Sequence, residues 1–133
     1  MSKTRATWWQ WQDDAGTVAN SFAVIGVGRF GSAVCRELLR AGAEVLAIDM
    51  SQRAIDELRQ IDGAIEARIV DCTDEEALRA AGVLDVGTVV VAISEPIEAS
   101  ITATLIVKEG RDSRVKQVIA RATSDLHEKM LRR

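Results

Sequence analysis

Apolar positions fall into short continuous runs separated by stretches with helical spacing. Phe22-Ala23-Val24-Ile25 is the first run and ends at Gly26. Behind it, Phe30, Val34 and Leu38 recur every fourth residue, flanked by Cys35 and Leu39, with Arg36, Glu37 and Arg40 on the other side. That spacing predicts an amphipathic helix, and Gly42 is placed to end it. A second strand is predicted over 44–48, ending at Asp49. Ser51 then caps a second helix with Ile55, Leu58 and Ile61 facing inward, stopped by Asp62-Gly63. Residues 67–70 form a third strand, ending at Asp71. Thr73-Asp74-Glu75-Glu76 has the pattern of a capping box, so a third helix is expected to start with Thr73 as its cap and to stop at Gly82. Residues 88–93 predict a fourth strand, apolar as expected for burial on both faces. Pro96 suits the first turn of a fourth helix that reaches about Lys108. A fifth strand is expected over 115–120. Thr123 or Ser124 opens a last helix that includes Leu126, Met130 and Leu131.

Five strands alternating with five helices predict an α/β domain: a doubly wound parallel sheet with right-handed crossovers and helices on both faces. The 133 residues fit one such domain. Residues 1–20 lie outside the pattern and read as a tail. It holds all three tryptophans, Trp8, Trp9 and Trp11, followed by Asp13-Asp14-Ala15-Gly16 as a turn or linker. Such a segment is either a loosely held terminus or a docking segment for a partner or a bilayer interface, where indoles prefer to sit. At the other end, Arg132-Arg133 closes a helical stretch with no stop signal, so the natural protein is expected to continue.

Composition narrows the function classes. Apolar residues make up 47% and charged residues 28%, as in a folded soluble domain. A net charge of -3 argues against a basic nucleic-acid surface. Cys35 and Cys72 are far apart and His127 is the one histidine, which leaves a zinc site or a nucleophile–histidine triad poorly supplied. The contexts of both thiols suit a reducing, cytosolic compartment. The most apolar stretch, 89–93, is far too short to span a bilayer. No apolar segment of the kind found in signal peptides follows Met1 to Arg5.

The chemistry concentrates where strands end. Gly26-Val27-Gly28-Arg29-Phe30-Gly31 fits G-x-G-x-x-G. It follows a predicted strand, opens a predicted helix and is followed by an acid, Asp49, at the end of the next strand. Gly26 permits the tight turn, Gly28 the approach of a pyrophosphate, and Gly31 close packing of the helix on the sheet. The helix N-terminus presents N–H groups and a positive dipole end to phosphate oxygens. Asp49 is placed to bind a ribose diol and to repel a 2′-phosphate, which favours NAD over NADP. Asp71, Cys72 and Thr73 follow the third strand, Ser94 and Glu95 the fourth, and Arg121 the fifth, all at the carboxyl edge where such sheets bind ligands. Val27 and Phe30 in the loop, Met50 after Asp49, and Ala92 and Ile93 at the fourth strand's end complete the candidate binding set. No catalytic or metal-ligating residue is assigned.

These residues carry a family resemblance. The segment 22–31, Gly42 to Asp49, Asp71 to Glu76, Val89 to Ile93, Ser100 to Leu105 and Val118 to Ala122 resemble, in that order, the regulator-of-K⁺-conductance (RCK) domains, also called KTN or TrkA-N domains. The match covers 21–133, the nucleotide-binding N-terminal lobe. The family's sixth strand and C-terminal lobe fall outside it. The chain looks most like the cytosolic regulatory subunits of bacterial Ktr- or Trk-type K⁺ uptake systems. The resemblance implies a Rossmann-like fold and a sensor rather than an enzyme. It implies ATP or ADP, with NAD(H) possible, as the cleft's ligand. It further implies self-association into dimers or larger rings, a membrane-embedded K⁺ transporter or channel subunit as partner, and a place at the cytoplasmic face of the membrane. By motif match, Gly26, Gly28, Arg29 and Gly31 hold phosphates, Asp49 the ribose, and Asp71, Cys72 and Thr73 flank adenine. Ser94, Glu95 and Arg121 line the cleft. Arg29 would reach a terminal phosphate, in the family also that of a neighbouring subunit. One departure is Cys72, at a position the family commonly fills with alanine. Two other readings remain: the NAD-binding half of a dehydrogenase, and a structural interaction module with an empty cleft.

Overall fold

The computed structural model describes residues 20–121. The tryptophan segment, the predicted last helix and His127 lie outside the described residues. The strands are β1 (Ser21–Ile25), β2 (Glu44–Asp49), β3 (Glu66–Ile69), β4 (Thr88–Val91) and β5 (Gln117–Ala120). The helices are α1 (Arg29–Arg40), α2 (Gln52–Ile61), α3 (Glu75–Ala81) and α4 (Ile97–Glu109), with a 3₁₀ turn at Val83–Asp85. All strand pairs are parallel, in the order β3-β2-β1-β4-β5. The order reverses direction at β1, so the loops leaving β1 and β4 diverge and open a crevice at the carboxyl edge.

Period-two alternation assigns each strand residue to one of two cores. Phe22 and Val24 of β1 join Val45, Ala47, Ile55, Leu58 and Val90 under α1 and α2. Ala23 and Ile25 join Ile48, Leu78, Leu84, Val89, Val91, Ala103 and Val107 under α3 and α4. A strand buried on both faces favours apolar residues at successive positions, which explains the continuous runs 22–25 of β1 and 89–91 of β4, each behind one buried hydroxyl residue, Ser21 or Thr88. Burial of each such side chain contributes about 1.5–3 kcal/mol.

Several helix ends follow the predicted chemistry. Gly42 follows the α1 cap with φ 89, and the amides of Gly42 and Ala43 bond the carbonyls of Leu39 and Leu38. The Ser51 hydroxyl accepts from the Ala54 amide at 3.1 Å and caps α2. Gly82, in the left-handed region, ends α3.

Four expectations need correction. The cap of α3 is Asp74, not Thr73: its carboxylate accepts from the amides of Glu76 and Ala77. Thr73 is held one residue earlier, where its hydroxyl and amide both donate to Asp71 Oδ1. Ile61 is 50% exposed rather than inward; six residues beyond Ile55, it has turned about 120° off the buried face. The buried line of α1 runs through Gly31 and Cys35, with Val34, Leu38 and Leu39 half-buried beside it, and Phe30 stays 42% exposed. Strand ends also shift: β3 starts and stops one residue early, β4 stops at Val91, and β5 starts at Gln117. A strand extends only as far as its neighbour pairs with it, and β1 pairs β4 through Val91 alone at that end.

Candidate functional site: the crevice at the carboxyl edge

The turn after β1 is built by backbone. Gly26 has φ 95, and its amide donates to the Ile48 carbonyl at 2.7 Å, so the chain leaves the sheet tied to β2. A Cβ on Gly26 would meet the Ala92 carbonyl carbon and the Ile93 side chain at 3.1 Å. At Gly31 a Cβ would collide with the Gly26 carbonyl, because the first turn of α1 lies directly on the loop. A Cβ on Gly28 meets nothing within 4 Å and would project into open space. No side chain caps α1 and no acid occupies its first turn, which leaves the positive end of its dipole open to an anion. Ser32 stiffens the turn, its hydroxyl donating to the Val27 carbonyl at 2.8 Å.

Asp49 joins the two loops beside the crevice. Its Oδ2 accepts from the Val27 amide at 2.8 Å, and its Oδ1 accepts from the Ser51 amide at 2.8 Å. The carboxylate therefore fixes the glycine loop against the start of α2. Each oxygen keeps a further lone pair for a ligand hydroxyl.

A cavity of about 410 Å³ opens over this arrangement, within the range usual for small-molecule sites. Of the sequence-predicted residues, Gly26, Gly28, Asp49, Met50, Cys72, Ala92, Ile93, Ser94 and Glu95 form its wall. Val27, Arg29, Phe30, Gly31, Asp71, Thr73 and Arg121 are not part of that wall. Val27 and Gly31 shape the loop from behind through the contacts just described. Arg29 is exposed on the first turn of α1. Arg121 places its guanidinium carbon 4.8 Å from the centre of the Phe30 ring, a cation–π contact that brings positive charge to the start of α1.

The wall also contains Ile25, Ser51, Pro96 and Ala99. In the sequence Ser51 and Pro96 stand out only as helix starters, Ile25 only as the end of an apolar run, and Ala99 is not singled out. Their signal was positional: each stands at a strand end or a first helical turn on the carboxyl edge.

Beside the cavity, Thr73 holds the Asp71 carboxyl below its ordinary range, first through its hydroxyl and then through its amide. Cys72 is 4% exposed. Burial raises its thiol pKa, reinforced by the negative charges of Asp71 and Asp49. Burial alone pushes Cys35 up to about 12. Thiolate is the nucleophile, so neither cysteine is primed for covalent chemistry at neutral pH. Among the described residues no group of three metal-ligating side chains comes together. Among them, too, no helix is long and apolar enough to cross a membrane.

Comparison with known proteins bears directly on this arrangement. The family model described as "TrkA-N domain" matches residues 22–133. The chain is 44% identical over 110 residues to Ktr system potassium uptake protein C of Bacillus subtilis, an alignment covering 83% of this chain and 48% of that protein. It thus spans about half the length of that relative. Among solved structures it resembles the TrkA-N domain of inner membrane protein YbaL from Escherichia coli, with a TM-score of 0.72 and 23% identity over 85% of this chain and 80% of that one. It also resembles the NAD(P)-binding domain of an exopolyphosphatase-related protein from Archaeoglobus fulgidus, with a TM-score of 0.68 and 29% identity over 84% and 79% of the two chains. The glycine loop, the acid ending β2 and the match across residues 22–133 together place this chain in the TrkA-N domain family.

Proposed function

We propose that this chain is a nucleotide-sensing regulatory domain of a K⁺ uptake system. An adenosine nucleotide, ATP or ADP or NAD(H), occupies the crevice and changes how copies of the domain assemble. That rearrangement is passed to a membrane-embedded K⁺ transporter or channel subunit at the cytoplasmic face. The observation that carries the reading is the cavity itself: it opens over an uncapped helix N-terminus and has the Asp49 carboxylate on its wall. Pyrophosphate fits the glycine loop, and Asp49 accepts from the ribose hydroxyls. Gly28, Gly26 and the backbone of α1 bind, while Gly31, Val27 and Ser32 hold the loop in shape. The K⁺ link rests on the similarity to the Bacillus subtilis uptake protein.

Assembly is the output of such a sensor. The outer side of α4 carries Ile97 and Leu105, both exposed, with half-buried Ile101 between them at four-residue spacing. An apolar stripe of this kind on an otherwise well-covered helix suits a second copy of the chain. Sedimentation velocity at micromolar concentration is expected to show at least a dimer, with a distribution that shifts when ATP, ADP or NADH is added. A monomer across that range, unchanged by each nucleotide, would contradict the sensor reading.

A further inference from the structure

The charges on the cavity wall discriminate between nucleotides. Among the described residues its charged side chains are Asp49 and Glu95, both acidic. Among the described residues, two arginines at the start of α1 stand outside the wall: Arg29 is on its exposed first turn, and Arg121 is stacked on Phe30. The two acids flank the loop on opposite sides. Asp49 ends β2 and Glu95 lies in the loop between β4 and α4, four residues beyond Val91, and these strands are the two neighbours of β1 in the sheet. Neighbouring strands lie about 4.8 Å apart, so the two strand ends are about 10 Å apart, with the glycine loop between them. The wall therefore reads acid, phosphate-binding turn, acid.

We infer that Glu95 makes this crevice selective for a dinucleotide over a nucleoside triphosphate. The inference rests on the nucleotide-binding reading above. A dinucleotide has the matching order of ribose, pyrophosphate, ribose. With its pyrophosphate on the glycine loop and one ribose at Asp49, its second ribose lies on the β4 side, where the Glu95 carboxylate accepts from the diol. A triphosphate laid on the same loop carries its terminal phosphate toward Glu95, where like charges repel. The two acids also differ in how they are engaged. Both Asp49 oxygens already hold backbone amides. Glu95 is exposed and makes no hydrogen bond or ion pair among the described residues, so its acceptors are open to a ligand.

The test is titration calorimetry of the full chain with NADH, and with ATP in the presence and absence of Mg²⁺. The wild-type chain is expected to bind NADH at least ~10-fold more tightly than ATP in either condition. Glu95→Gln keeps the side chain's size and removes its charge. It should weaken NADH and strengthen ATP, each by roughly 3–10-fold. Glu98→Gln, in the first turn of α4 and off the wall, should change neither ratio. ATP binding as tight as NADH, with or without Mg²⁺, would overturn the inference while leaving the nucleotide-sensor reading intact. So would an NADH preference that Glu95→Gln leaves unchanged. Failure of both nucleotides to bind at millimolar concentration would overturn the two together.

Discussion

Gly31→Ala is expected to cost about 3 kcal/mol or more of folding stability, or to prevent folding outright. The added methyl would lie on the Gly26 carbonyl oxygen and 2.8 Å from its carbon. Neither partner can yield cheaply. The Gly26 amide is tied to Ile48, and the following turn is held by Asp49 and Ser32. Relief would require lifting α1 off the sheet, which uncovers Cys35 and the half-buried Val34, Leu38 and Leu39. Overpacking in a tight site typically costs ~1–3 kcal/mol, and more when backbone must move. Gly28→Ala is the control, since its Cβ meets nothing within 4 Å and its φ of -70 suits alanine. That variant should fold within about 0.5 kcal/mol of the wild type and lose nucleotide affinity, because its methyl enters the space a pyrophosphate needs. Urea unfolding followed by circular dichroism separates the two. A Gly31→Ala variant within 1 kcal/mol of the wild type, a margin of roughly fivefold in the folding constant, would contradict the packing described for α1.

Asp49→Ala should reduce both stability and binding. The carboxylate accepts two backbone amides from different loops, and its removal frees the Val27 and Ser51 N–H groups together. Hydrogen bonds to a charged group contribute about 1.5–3 kcal/mol each when sheltered. Asp49 is only half-buried, so a total near 2 kcal/mol is the expectation after allowance for solvent screening. Loss of the ribose contact should weaken NADH by at least ~10-fold and should narrow any preference for NADH over NADPH. Asp49→Asn separates the two roles: one oxygen remains as an acceptor, so stability should fall by roughly half as much, while the discrimination against a 2′-phosphate fades with the charge. Calorimetry with NADH and NADPH alongside urea unfolding reads both effects. Unchanged affinity and unchanged preference in Asp49→Ala would remove this residue from the binding site.

The parts of the fold legible in the sequence are those set by local chemistry. The continuous apolar runs of β1 and β4, the Ser51 cap, and the Gly42 and Gly82 stops each need only a few neighbouring residues to specify them. The glycine loop was legible because its three glycines each solve a separate steric problem, and Asp49 because it ends the next strand. Competition and tertiary packing hid the rest. Thr73 and Asp74 are adjacent and both suit a helix cap; Asp71 captures the Thr73 hydroxyl and leaves the cap to Asp74. Residues 92 and 93 are as apolar as the strand before them. Whether β4 continues depends on its neighbours, which no local pattern records. Phe30 fits the apolar stripe of α1 by spacing, yet it stays at the surface beneath Arg121, a residue from the far end of the described chain. Ser51, Pro96 and Ala99 join the cavity wall only because α2 and α4 both start at the same edge of the sheet.

The central claim is that the crevice holds an adenosine nucleotide. The most direct measurement is a mass spectrum of small molecules released by denaturing protein purified quickly in a low-salt buffer without added nucleotide. The account predicts a nucleotide with an adenosine moiety, present in the wild type and depleted in Asp49→Ala. Wild-type protein that releases none, and that takes up neither NADH nor ATP when each is then supplied at millimolar concentration, would contradict it.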